Sequence, residues 1–204
     1  MNSFDVVDRF EAAVAKFAGA PFAVATNTGT SALFLSMAYE KMQHPEIEHV
    51  VMPARTFISV PMAAIHAGFK VVFDDYKWLG TYNIGPLNVV DSALRFRKRM
   101  YQGGFHCLSF HARKLLNIGE GGMILTDNRH AYHWFRKARH SGRSMPSYDI
   151  AEIDMLGWQC YMTPEKAARG LHLLDYFGDW PDQVMEYEDL RKVKVFQKHM
   201  VKAA

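Results

Sequence analysis

Long apolar runs are missing from this 204-residue chain: no stretch approaches the ~20 residues that span a bilayer, so no membrane segment is expected. Cysteine is scarce. Cys107 and Cys160 stand far apart, which excludes a disulfide framework or a metal knuckle and points to a reducing, cytoplasmic setting. Glycine (14) and proline (8) are neither enriched nor periodic, which excludes collagen-like and low-complexity classes. Charge of one sign is also lacking: the net charge of +3 fits an anionic ligand but is too small to imply nucleic acid. What is present is a 49% hydrophobic and 13% aromatic composition, enough to build a packed core. The first residues, MNSFDVVDRFEAAVAKF, mix acids and bases through their apolar positions and read as a helix, not a signal peptide.

Along the chain, short β-prone runs alternate with helical ones. Phe4, Val7, Phe10, Val14 and Phe17 recur at helical spacing. PFAVAT (21–26), HVVMP (49–53), FKVVFDD (69–75), NVVD (88–91), HCLSF (106–110) and GGMILTD (121–127) read as strands. Helices are expected over 32–42, 57–68, 129–142 and 163–176, and a charged amphipathic helix over 185–202. Such alternation implies βαβ units, a mostly parallel sheet and helices on both faces.

Four features fall at the carboxyl ends of predicted strands, where open α/β sheets bind ligands. In Asn27–Ser31, the glycine and hydroxyls at a helix start suit a phosphate, although an ordinary N-cap turn has the same composition. Arg55-Thr56-Phe57 puts an aromatic ring at the sheet rim, where plain core packing would also place one. Asp91, closing three apolar strand residues, needs a cation, a donor or a capping role to offset its burial. Lys114 lies just past a strand end, on a loop pinned by Gly119, Gly121 and Gly122. A lysine against low-dielectric walls can lose its proton and attack a carbonyl. The ten histidines are scattered, and no third ligand completes a metal site around His106 and His111 or His130 and His133, so no metal is expected. The tryptophans, Trp78 among them, show no stacking spacing.

The segment SFHARKLLNIGEGGMILTD (109–127) resembles the lysine segment of the DegT/DnrJ/EryC1 family of pyridoxal-phosphate (PLP) enzymes, mostly nucleotide-sugar aminotransferases. FAVATNTGTSAL, VVMPARTFIS, AGFKVVFDDYKWLGTYNI, NVVDSA, RKARHSGR and LGWQCYMTPEKAARGLHLLD resemble further family segments in the same order. The resemblance implies an α/β fold: the three-layer α/β/α large domain of the fold-type-I, aspartate-aminotransferase architecture. It occupies residues 1–180, followed by a helical tail at 181–204. It further implies that Lys114 forms the Schiff base with PLP, Asp91 sits against the pyridine nitrogen and Phe57 stacks on the ring. Gly29, Thr30, Ser31 and Ser109 would hold the phosphate, and His111, Arg55 and Tyr161 would lie toward the substrate. The implied activity is amino transfer from an amino-acid donor to a keto-sugar nucleotide, in a homodimer, with neither nucleic acid nor membrane as partner.

Departures from the family pattern are equally specific. Family members are nearly twice as long. Between Ile84 and Asn88, where they carry a helix, a strand and another helix, this chain has GPLN. Loss of that strand predicts that the strands ending at Met52 and Asp91 either pair directly or leave a gap. The family's small domain has no counterpart in the about thirty residues after Asp175, and the helix expected there could be a substitute interface. Leu94, Gln159 and Tyr161 replace the family's usual residues, which puts substrate handling and cross-subunit contacts in question. A PLP-binding remnant that serves as an assembly partner is therefore the alternative function. The basic runs RFRKR and RKVKVFQKHMVK read as solvated faces.

Overall fold

The computed structural model describes residues 3–144 and 153–201. The opening apolar pattern forms α1 (Asp5–Ala18), followed by β1 (Phe22–Thr26), α2 (Gly29–Gln43), β2 (His49–Pro53), α3 (Ser59–His66) and β3 (Lys70–Asp74). Next come β4 (Tyr82–Ile84), β5 (Val89–Asp91), β6 (Phe105–Ser109) and β7 (Gly122–Thr126). The helices α4 (Arg129–Ala138), α5 (Pro164–Asp175) and the four-residue α6 (Lys194–Gln197) complete the chain. Each strand read from the sequence forms within one residue of its expected bounds, and β4 is an addition.

Side-chain alternation makes three layers. Ala23 and Ala25 of β1, Leu108 of β6, and Met123 and Leu125 of β7 pack with Phe10 and Val14 of α1 and Ala167 of α5. Their neighbours Val24, Cys107 and Ile124 face the other way, against Leu33 of α2, Ala63 of α3 and Phe135 of α4. The sheet order is β1-β7-β6-β5-β4, with β2 and β3 as a parallel pair beside it. β5 and β6 run parallel, whereas β7 is antiparallel to both its neighbours and β4 is antiparallel to β5. Val51 of β2 and Gly85, just past β4, exchange two backbone hydrogen bonds of 2.6 and 3.0 Å in an antiparallel bridge. β1, β2, β3, β5 and β6 therefore share one direction, and only β4 and β7 are reversed.

The bridge corrects the expectation for the shortened segment. β2 and β5 neither pair directly nor leave a gap. A three-residue antiparallel strand folded back from β5 fills the position and satisfies backbone groups on both sides.

The tail also departs from its expected form. In place of a helix over 185–202, of which Lys202 lies outside the described residues, there is an extended segment, a 3-10 turn at Leu190–Lys192 and α6. Besides the local bonds of these two turns, its backbone bonds to the rest of the protein at both ends. Leu190 N–H donates to Ala54 O at 2.9 Å, while Val71 N–H donates to His199 O and Val201 N–H to Val71 O. The last two bonds cover the free edge of β3, and Phe196 packs edge-on to Phe73 beneath it.

One ionic knot ties three elements together. The buried Glu11 carboxylate of α1 accepts from Ala25 N–H of β1 at 2.8 Å and from the Arg139 guanidinium beyond α4, which also donates to Ala25 O. Removing one member strands its charged partner in a place with no water. Glu11→Ala is expected to destabilise the protein by about 3–5 kcal/mol, read as a lowered urea midpoint; a loss under about 1 kcal/mol would show that the pair is solvated.

Candidate active site

The co-directional strands end at Thr26, Pro53, Asp74, Asp91 and Ser109, on one edge of the sheet. Because β7 is reversed, its first residue, Gly122, pairs with Thr26 and Ser109 at that same edge. A cavity of about 240 Å³ opens there, and Gly29, Thr30, Phe57, Asp91, Ser109, His111 and Lys114 all line it.

Close backbone packing builds one side. Thr28 caps α2, its hydroxyl accepting from Ser31 N–H at 3.0 Å, which leaves the Gly29 and Thr30 N–H groups at the helix start without intrahelical acceptors. Gly122 lies directly beneath: a Cβ there would sit 2.3 Å from Thr28 O and 2.6 Å from Gly29 N. A Cβ on Gly29 would in turn meet Ser109 Cβ at 2.8 Å, so the helix start and the Ser109 side chain can adjoin only without one. Two open N–H groups, a helix N-terminus and the Ser109 hydroxyl make a cradle suited to a phosphate.

The opposite wall holds two charges. Asp91 is 4% exposed; its carboxylate accepts from Tyr82 O–H at 2.7 Å and Ala93 N–H at 2.9 Å, and among the described residues it forms no ion pair. Tyr82 in turn shares a 2.6 Å hydrogen bond with Thr56. Burial pushes the Asp91 carboxyl above its ordinary value of 3.8 despite these donors and the Lys114 charge. Burial equally pushes the Lys114 amine below its ordinary 10.5, with the Asp91 charge opposing. Phe57, 53% exposed, presents an apolar ring at the same cavity, with Tyr187 edge-on to it.

Three expected residues lie elsewhere. Ser31 turns away: its hydroxyl donates to Asn27 Oδ1 at 2.7 Å and bonds Thr28, so capping consumes it. Arg55 is held by Asp75 at 2.5 Å and lies 3.8 Å from Asp189, outside the cavity lining. Tyr161 stacks on His140 at 4.6 Å and meets Phe4 edge-on, on another part of the surface. The basic run does not converge on the site either, since Arg95 is spent on Asp182. Conversely, Trp78 lines the cavity, as do Met185 and Tyr187 of the tail, and none of these carried a sequence signal; Thr56, within the Arg55–Phe57 feature, lines it too.

Comparison with known proteins identifies the family of the chain. The model of the DegT/DnrJ/EryC1/StrS aminotransferase family matches residues 1–100 and 97–190. Spore coat polysaccharide biosynthesis protein SpsC of Bacillus subtilis (strain 168) is 28% identical over 226 residues, covering 85% of this chain and 57% of its own length. Among solved structures, the sugar aminotransferase CalS13 of Micromonospora echinospora superposes with a TM-score of 0.70 at 20% identity, covering 84% of this chain and 60% of that one. DesI, solved in the presence of its TDP-sugar product, gives 0.66 at 25% identity, covering 84% of this chain and 53% of that one. The chain thus spans little more than half the length of these relatives. It belongs to the DegT/DnrJ/EryC1/StrS aminotransferase family, with the fold-type-I architecture, and the cofactor of that family is PLP. The residues present fit this group: an open N–H cradle for a phosphate, a half-exposed aromatic ring, a buried carboxylate with no ion-pair partner among the described residues and a half-buried amine.

The depressed Lys114 pKa has a stability consequence. The folded protein disfavours the ammonium relative to the unfolded chain, so stability linked to this group is full above pH 10.5 and is lost as pH falls through the lower folded value. In cofactor-free protein, Lys114→Met should therefore raise the urea midpoint at neutral pH, and the two proteins should converge near pH 10.5. Equal midpoints at both pH values would mean that the amine is fully solvated in the fold.

Proposed function

We propose that this chain is a PLP-dependent aminotransferase that moves an amino group from an amino-acid donor to a keto-sugar nucleotide. The observation that carries the reading is the meeting, in one cavity, of Lys114, Asp91, Phe57 and the cradle of Gly29, Thr30 and Ser109. The likeness to SpsC, a spore coat polysaccharide biosynthesis protein, and to DesI, solved in the presence of its TDP-sugar product, supports a sugar nucleotide as acceptor class.

When bound, PLP supplies an electron sink that acidifies a carbon of the substrate. Lys114 Nζ would hold the cofactor at its aldehyde carbon, with the aldehyde oxygen leaving as water; its depressed pKa leaves more of the neutral amine that this condensation requires. Released, the same nitrogen accepts a proton from one substrate atom and returns it to another. Asp91, fixed by Tyr82 and Ala93, holds a ring nitrogen protonated, and the new cation offsets the cost of burying its charge. Gly29, Thr30 and Ser109 bind the phosphate, Phe57 covers a ring face, and His111, exposed at the rim, meets the substrate.

The reading includes a cofactor-binding unit over 1–180 with a tail at 181–204, a cytoplasmic setting in keeping with two buried free thiols, and a homodimer. Ile153 (71% exposed) and Leu156 (91%) give the dimer an apolar face to bury.

Purified protein supplied with PLP should become coloured, and borohydride should fix the cofactor to the peptide containing Lys114. Lys114→Ala should abolish both and lower amino transfer by about 10²–10⁴-fold. Colour with a Lys114 tag but no transfer to any keto-sugar nucleotide would favour the assembly role; no colour and no tag would overturn the cofactor assignment itself.

A further inference from the structure

The tail does not merely pass over the site. Resting on the reading of this cavity as a cofactor site, we propose that residues 182–191 form a strap that is one wall of it. Tyr187 acts as the positioning residue that closes over a planar aromatic ligand, together with Phe57 and Trp78.

Both ends of the strap are pinned. At the first, Arg95 Nε donates to Asp182 at 2.9 and 3.1 Å and its Nη2 at 2.5 Å. Asp182 fits against Gly80, where a Cβ would lie 2.3 Å from Oδ2. The next residue bonds the walls of the site directly: Gln183 N–H donates to Leu94 O at 2.9 Å, and Gln183 Nε2 to Arg113 O at 3.0 Å, beside Lys114. At the other end, Leu190 is buried with its N–H on Ala54 O, and Arg191 bridges Asp189 at 2.6 Å and Asp75 at 3.2 Å.

Between the pins the chain is extended and alternates. Val184, Glu186 and Glu188 face solvent, while Met185 and Tyr187 line the cavity. Val184, an apolar side chain, is left 79% exposed, so the strap's orientation is not set by simple burial of whatever is apolar. The Tyr187 ring lies nearly parallel to Trp78 (14°, 6.1 Å) and edge-on to Phe57 (63°, 6.4 Å), which encloses the space beside Asp91 on three aromatic sides. Its hydroxyl, 3.5 Å from Met185 S, is pushed up to about 12, first by burial and then by the Asp91 charge. Flat, polarisable walls of this kind favour a flat aromatic ring and keep water from it.

The test uses the full chain with PLP as probe. Tyr187→Ala should speed loss of the visible band on dialysis about tenfold, while Tyr187→Phe, which keeps the ring, should stay within about twofold of wild type. Arg95→Ala, which unpins the strap without touching the cavity, should resemble Tyr187→Ala. In wild type, PLP should slow amide exchange of residues 184–189 at least about tenfold, because the enclosed ligand holds the strap closed. Should Arg95→Ala fail to fold, the exchange comparison decides alone. Coloured protein whose cofactor retention and strap exchange are unmoved overturns the strap and leaves the aminotransferase reading intact. Wild type that takes no colour and no borohydride tag overturns both.

Discussion

The site depends on the cost of keeping two opposite charges out of water at the carboxyl edge of one sheet. Asp91 is pushed toward its neutral form and Lys114 toward its own, each by burial and each against the attraction of the other. Had the fold been shaped for the stability of this region alone, a closed ion pair or two apolar residues would serve better. The fold does neither. It gives Asp91 two neutral donors and no ion-pair partner among the described residues, and leaves Lys114 half-buried beside an open cavity. In the proposed reading a cationic ring nitrogen and an aldehyde would relieve both costs, so that binding energy and chemistry would come from the same unfavourable arrangement.

Sheet topology supplies that edge. Five strands running one way would place only their carboxyl ends there; the reversed β7 adds its amino end, Gly122, beneath the first turn of α2. The helix start can approach the strand ends because Gly29 and Gly122 lack side chains that would push them apart. β4 has the complementary role at the other end of the sheet. By filling the space between β5 and β2 it fixes Tyr82, whose hydroxyl orients Asp91, and the short connection between Ile84 and Asn88 is what turns the chain from β4 into β5.

Much of this was legible in the sequence because short apolar runs bounded by turn residues are strong signals, and six strands follow them closely. β4 was not, since three residues hold too little pattern to separate from a turn. Lys114, Asp91 and Phe57 stood out by their chemistry or place at a strand end, whereas Ser109 came from the family resemblance. Ser31 failed for a local reason, its hydroxyl being needed by the cap, and Tyr161 for a global one, its loop folding to Phe4 and His140. Arg55 lies next in sequence to site residues, yet two carboxylates hold it at the base of the strap.

The tail shows most clearly why periodicity alone misleads. Leu190, Val193, Phe196 and Met200 repeat at spacings a helix would also give and all pack on the core that includes β2 and β3, but the backbone bonds outward to Ala54 and Val71. Upstream, the period is two: Met185 and Tyr187 turn inward and their neighbours outward, the signature of an extended chain lying across a surface. A helix over the same residues would present its side chains at 3.6-residue spacing and could not place Met185 and Tyr187 on one cavity while Asp182 and Asp189 reach arginines at either side. The extended form thus fits its anchoring ion pairs, Asp182 with Arg95 at one end and Arg191 with Asp75 at the other, and between them Tyr187 lies against Phe57 and Trp78.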